Sequence, residues 1–262
     1  MIQLIFEDLG MHYEVHGEGE PLILLNGIMM SALSWKDHVP KFKEGYQIIT
    51  YDMRDQGQSA RLEEGYTIDV HVEDLKKLLD YLKIDKVNLL GVSYGSQVAL
   101  LFVLKYPERV NRMILPNATD YIDNYLQAVG EVWKIAARSY DGEKFFDLAL
   151  PFIYSRPFYD TNLEWLLNRR KMFKETLTKP WFDGLYRLAC SNADYDVRDK
   201  ISKIDKEVLF ISGEEDILTP HSHMMEMHEK IENSTLIKLN GTGHALFFEK
   251  LNDFMEIIND FL

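Results

Sequence analysis

The chain has one cysteine, Cys190, in 262 residues. A lone thiol cannot close an internal disulfide, which agrees with a reducing, cytoplasmic setting. No neighbour in the sequence would stabilise its thiolate. Basic residues are also in short supply: 29 Lys and Arg stand against 42 Asp and Glu, a formal net charge of −13. That balance leaves no electrostatic footprint for nucleic acid or an anionic membrane surface. No apolar run approaches the ~18 residues of a membrane span. The opening Met1-Ile2-Gln3-Leu4-Ile5-Phe6-Glu7-Asp8 lacks the basic and long apolar regions of a signal peptide. Internal repeats and low-complexity segments are absent from the sequence. These absences predict a cytoplasmic protein without nucleic-acid or membrane partners; an oligomer is compatible with them but is not legible in these residues.

The residues present suit one large α/β domain or a core with one insertion. The N-terminal segment has a hairpin pattern, Gln3 to Phe6 and Met11 to Val15 around Asp8-Leu9-Gly10. Short apolar runs follow at Leu22 to Leu25, Gln47 to Tyr51, Val87 to Leu90, Met113 to Leu115, Val208 to Ile211 and Thr235 to Leu239. Such runs are strands buried on both faces of a parallel sheet. Amphipathic segments lie between them, clearest at Ile68 to Leu82. The alternation predicts an α/β fold with a mostly parallel, doubly wound sheet of about eight strands. From Tyr121 to about Asp194 the alternation stops. That stretch is helical in period and rich in aromatics, and Pro151, Pro157 and Pro180 divide it. It reads as a helical cap over 119–195 inserted into a core of 1–118 and 196–262.

The chemistry is carried by Gly91-Val92-Ser93-Tyr94-Gly95. This G-x-S-x-G joins a predicted strand to an apolar helix, the context of a nucleophile elbow. A serine hydroxyl needs a base, and the base needs an orienting carboxylate. Of eight histidines, His244 is best placed, in the glycine-flanked loop Gly241-Thr242-Gly243-His244-Ala245 after the last strand. Asp216 is the leading acid, in the loop after Val208 to Ile211, with Asp120, Glu214 and Glu215 as competitors. The backbone N–H of Tyr94 is one candidate oxyanion donor. A sharp turn at Asn26-Gly27 offers the Ile28 N–H as the second. Met29, Met30 and, among the cap aromatics, Trp133 are candidate pocket residues. His221-Ser222-His223 resembles a metal pair but follows Thr219-Pro220, which reads as N-cap and first helical position. No metal and no cofactor is expected.

The chain resembles the α/β-hydrolase superfamily, in particular the small capped type that includes carboxylesterases, enol-lactonases and C–C bond hydrolases. The resemblance rests on the elbow, on Asp52-Met53-Arg54-Asp55-Gln56-Gly57-Gln58-Ser59, on Gly213 to Asp216 and on Gly243-His244. It departs from the family pattern at Asp55, where Gly is usual, and at Asn26, where His-Gly is the common pair. Asn26-Gly27 and Ala193 to Arg198 are similar to the enol-lactonase branch. The resemblance implies a serine hydrolase acting on a small acyl ester or lactone with Ser93, His244 and Asp216. Thioester or carbon–carbon cleavage by the same residues, and a ligand-binding sensor on the same fold, are the alternatives.

Overall fold

The computed structural model describes residues 10–262 and the backbone of residues 2–6. Eight strands form one sheet: β1 (Ile2–Phe6), β2 (Met11–His16), β3 (Glu20–Leu25), β4 (Tyr46–Tyr51), β5 (Val87–Gly91), β6 (Val110–Pro116), β7 (Glu207–Gly213) and β8 (Ser234–Leu239). Their spatial order is β1-β2-β4-β3-β5-β6-β7-β8. The β1–β2 and β2–β4 pairs are antiparallel and the other five are parallel. The turn expected at Asp8-Leu9-Gly10 lies, but for Gly10, outside the described residues.

The continuous apolar runs have the physical cause expected of them. In β3, Ile23 and Leu25 join one buried cluster while Leu22 and Leu24 join the other, so both faces of the sheet are covered. Helices α1 (Asp69–Tyr81) and α2 (Tyr94–Lys105) supply Val72, Leu75, Val98 and Phe102 to the first cluster. Trp35 and the C-terminal helix supply much of the second, through Phe254, Met255 and Ile258. Among the described residues no helix is long and apolar enough to cross a membrane.

Five helices lie between β6 and β7: α3 (Asn124–Arg138), α4 (Gly142–Ala149), α5 (Arg156–Thr161), α6 (Leu163–Thr176) and α7 (Lys179–Ser191). Pro157 and Pro180 sit in the first turns of α5 and α7, where a missing N–H costs nothing. Pro151 falls in a short 3₁₀ turn. The α3–α4 break carries no proline; Asp141 caps α4 by accepting from the Glu143 and Lys144 amides. The helices share a third apolar cluster, which also takes in Leu218 and Ala245 from the sheet rim. Phe145 anchors it, with ring centroids 5.2 Å from Trp181 and 5.9 Å from Phe182. Such pairs add about 0.5–1.5 kcal/mol each beyond their buried area. Tyr121 and Asp196 close the segment with an isolated antiparallel bridge.

One boundary departs from expectation. The helix after β7, α8 (His221–Lys230), starts one residue later, with Pro220 as N-cap. Thr219 is thereby drawn away from capping and into the site.

Candidate active site

Ser93 stands between β5 and α2 at φ 53°, ψ −112°, a left-handed conformation that costs a non-glycine residue about 1–3 kcal/mol. The surroundings hold it there. Its N–H donates to Pro116 O at 3.1 Å, and its carbonyl accepts from the Ser96 N–H and hydroxyl at 2.8 and 2.6 Å. The flanking glycines are steric necessities: a Cβ on Gly91 would sit 2.5 Å from Gly95 O, and one on Gly95 would sit 2.3 Å from Leu25 O.

His244 lies with Nε2 2.8 Å from Ser93 Oγ and Nδ1 2.8 Å from Asp216 Oδ2. An ionised carboxylate can only accept, so Nδ1 carries the ring proton and Nε2 is free to accept from the serine. The loop bearing His244 is fixed on both sides: Ala245 N–H donates to Ile153 O, and Gly243 N–H to the Glu249 carboxylate.

Asp216 is buried and receives five hydrogen bonds. Oδ1 accepts from the Leu218 and Thr219 amides; Oδ2 accepts from His244, the Thr219 hydroxyl and Asn117 Nδ2. Burial alone would push its carboxyl up. The adjacent imidazole and these hydrogen bonds outweigh burial and hold it below its ordinary 3.8. The competing acids lie elsewhere. Asp120 faces Lys230 at 3.5 Å, Glu214 accepts from Gly241 N–H, and Glu215 accepts from Arg156 N–H. His221 pairs with Ser212, and the His223 ring packs at a tilt against Tyr121.

Residues 27–30 form a turn closed by Met30 N–H on Gly27 O at 3.0 Å. The backbone N–H groups of Ile28 and Tyr94 donate to no group among the described residues, and both residues line the cleft at Ser93. Two cavities of about 110 and 90 Å³ meet there, sharing Ile28, Ser93, Trp133 and His244. The first has polar walls from Gln97, Gln127 and Asn192. The second is apolar and includes Met29, Met30, Tyr154 and Phe173.

The sequence did not point to several residues now at the site. Asn117 follows the end of β6 as an ordinary loop residue and Thr219 reads as a helix cap, yet both hold Asp216. Arg169, on α6, lines the second cavity; its buried Nε has no hydrogen-bond partner and no carboxylate pairs with it among the described residues. Its guanidinium carbon instead lies 5.2, 5.5 and 5.8 Å from the ring centroids of Trp165, Phe173 and Phe248.

The fold is shared with known hydrolases. A family model described as alpha/beta hydrolase fold matches residues 20–251. An alpha/beta hydrolase enzyme from a Medee basin deep-sea metagenome library superposes with a TM-score of 0.95 at 33% identity, over 99% of this chain and 96% of its own. The chain belongs to the α/β hydrolase family, and its class is hydrolase. The 2-hydroxy-6-oxo-2,4-heptadienoate hydrolase of Pseudomonas putida is 26% identical over 260 residues, covering 94% of this chain and 90% of that protein. The enol-lactonase of Burkholderia xenovorans shares the fold, with a TM-score of 0.85 at 23% identity over 96% and 95% of the two chains.

Proposed function

We propose that this chain hydrolyses a small carboxylic ester or lactone through an acyl-enzyme on Ser93. The observation that carries the reading is the unbroken relay Ser93–His244–Asp216, with both links at 2.8 Å. Ser93 Oγ attacks the carbonyl carbon as its proton passes to His244 Nε2. Asp216 stabilises the imidazolium that forms, and the Ile28 and Tyr94 amides hold the oxyanion. Collapse expels the alcohol, which takes the proton from His244. Water, deprotonated by His244, then attacks the acyl carbon and releases the acid.

The acid so released bears a second anionic group in this reading. Arg169 brings a half-buried cation, with no carboxylate partner among the described residues, to a largely apolar cavity that also takes in Ser93, and a guanidinium binds a carboxylate in a two-pronged, charge-assisted contact. The Pseudomonas relative, named for a dienoate, is in keeping with this. Its name denotes a keto acid with no ester, which favours carbon–carbon cleavage by the same residues as a second reading.

The test is a turnover panel of p-nitrophenyl esters, lactones, acyl thioesters and a vinylogous keto acid, run beside organophosphate labelling. One adduct on Ser93, formed more slowly when a good ester is present, supports the acyl-enzyme. Ligand recovered intact after many hours, with no adduct by mass spectrometry, marks a sensor instead.

A further inference from the structure

The loop after β4 holds a buried amide network that the relay does not use. Asn26 and Gln56 are almost wholly inaccessible. Trp35 Nε1 donates to Asn26 Oδ1 at 2.8 Å, and Asn26 Nδ2 donates to Tyr51 O at 2.9 Å and Gln56 Oε1 at 3.1 Å. Gln56 Nε2 then donates to Gly27 O at 2.9 Å and reaches Ile28 O at 3.4 Å. The amide orientation of Gln56 follows from its partners, since the flipped form would set Oε1 against two carbonyls.

The position of that last contact matters. Gly27 C=O and Ile28 N–H belong to one planar trans peptide, so they point in opposite directions. A donor that grips the carbonyl from behind fixes where the N–H aims, and polarises the peptide so that the N–H donates better. The root of the loop is rigid, because the Asp52 carboxylate takes the Ala32 and Gln58 amides and His12 Nδ1 at 2.7–2.9 Å.

The residue before Gln56 connects this network to the inserted helices. Asp55 sits at φ 67°, and its buried carboxylate takes Arg187 Nε and a terminal guanidinium nitrogen at 2.9 and 2.6 Å. Arg187 lies on α7, the helix that also brings Ala189 to the first cavity. One turn earlier, Gly184 rests so close to Asp55 O that a Cβ would stand 2.7 Å from it. Asn26 and Asp55, the two departures from the family pattern, thus both belong to this one assembly.

We infer that Gln56 is a positioning residue for the oxyanion turn, and that the Asp55–Arg187 pair makes its placement depend on α7 being seated on the core. Oxyanion binding is then complete only when the inserted helices are closed over the cleft. The inference rests on the reading of Ile28 as an oxyanion donor.

The experiment compares Gln56→Met, Gln56→Glu, Arg187→Gln and the Gln56→Met/Arg187→Gln double variant in the full chain. Each is measured for kcat, KM, melting temperature and inhibition by a trifluoromethyl ketone analogue of its best ester. That inhibitor requires the oxyanion donors: Ser93 Oγ bonds to its carbonyl carbon, the proton moves to His244, and the ketone oxygen becomes the anion. Loss of an oxyanion donor costs about 10²–10³ in rate, so misaiming one is expected to lower kcat about 10- to 100-fold with KM little changed. Inhibitor affinity should fall by a similar factor. Arg187→Gln should show a smaller loss of the same kind, and the double variant should be no worse than Gln56→Met alone. Unchanged inhibitor affinity in folded Gln56 variants, a loss confined to KM, or fully additive effects would overturn the inference. Should both Gln56 variants misfold, Arg187→Gln decides: unchanged kcat and inhibitor affinity reject the coupling. Ser93→Ala runs in parallel. Turnover surviving there would sink the serine reading itself, whereas its loss with unaffected Gln56 variants would sink this inference alone.

Discussion

Thr219 donates its hydroxyl to Asp216 Oδ2 at 2.8 Å, onto the same oxygen that His244 Nδ1 approaches. The carboxylate is therefore held by more than the imidazole beside it. Thr219→Val keeps the volume and removes one donor to the charged form, which should raise the Asp216 carboxyl toward its ordinary value. Losing a hydrogen bond to a charged group should cost about 1.5–3 kcal/mol of stability. The acidic limb of kcat/KM should move to higher pH. A pH profile and unfolding curve indistinguishable from the parent would show that the hydroxyl is idle.

Ser93→Ala is expected to lower kcat by at least about a thousandfold while the fold survives, since the residual rate of such variants comes from binding and oxyanion contacts alone. A second comparison isolates the elbow strain. At φ 53° glycine is at ease and alanine is not, so Ser93→Gly should melt above Ser93→Ala. Equal melting temperatures would count against stored strain at this position.

Arg169→Met keeps a long, adaptable side chain and removes the charge. For a p-nitrophenyl hemisuccinate the variant should lose about ten- to a hundredfold in kcat/KM, the worth of a charge-assisted contact of about 1.5–3 kcal/mol. The neutral butyrate ester should be hydrolysed as well as before or better. Equal losses on both esters would mean that Arg169 serves packing rather than recognition of an acid.

Stability should fall on mild acidification because of His71. Burial in α1 leaves both its ring nitrogens unpaired among the described residues and pushes its pKa down from 6.5 to about 3. Above pH 6.5 the ring is neutral in both states and has no effect. Between 6.5 and 3 the unfolded chain binds a proton that the folded chain does not, so stability declines with falling pH by up to about 1.4 kcal/mol per unit. Burial shifts His38 in the same direction. Denaturant titrations at pH 7 and pH 5 should show the loss, and His71→Leu should reduce its slope. A slope unaltered by that substitution would remove His71 as the cause.

Much of the sheet was legible because its signals are local. Leu22 to Leu25 or Val208 to Ile211 can be buried on two faces only inside a covered parallel sheet, and each run shows this without reference to any other. The elbow is legible as a short motif, although only Gly91 is required by atoms within a few residues; Gly95 is required by Leu25 O and Asn26 O at the end of the neighbouring strand β3. His244 and Asp216 could be placed at strand ends by the same reasoning, and Asp216 preferred to Asp120, though the distances that separate the two came only with the fold. Both carboxylates follow strands of the same sheet, and only the path of each loop brings one to the imidazole and the other to Lys230.

The rest depends on pairings that local pattern cannot encode. Ser93 and His244 stand 151 positions apart, Asn117 and Asp216 99 apart, and Asp55 and Arg187 132 apart. Thr219 reads locally as a helix cap, Gln56 as one member of a loop motif and Arg169 as an ordinary residue of a polar helix. What gives them a role is burial beside a particular partner, which desolvates a charge or an amide and turns a weak surface contact into a demanding one. Apolar spacing and tight turns are short-range consequences of backbone sterics, so the chain alone determined the strands, the turn at Ser93 and the loop that carries His244. Which polar groups share a dry cavity is a long-range consequence of packing, and the tertiary structure decided it.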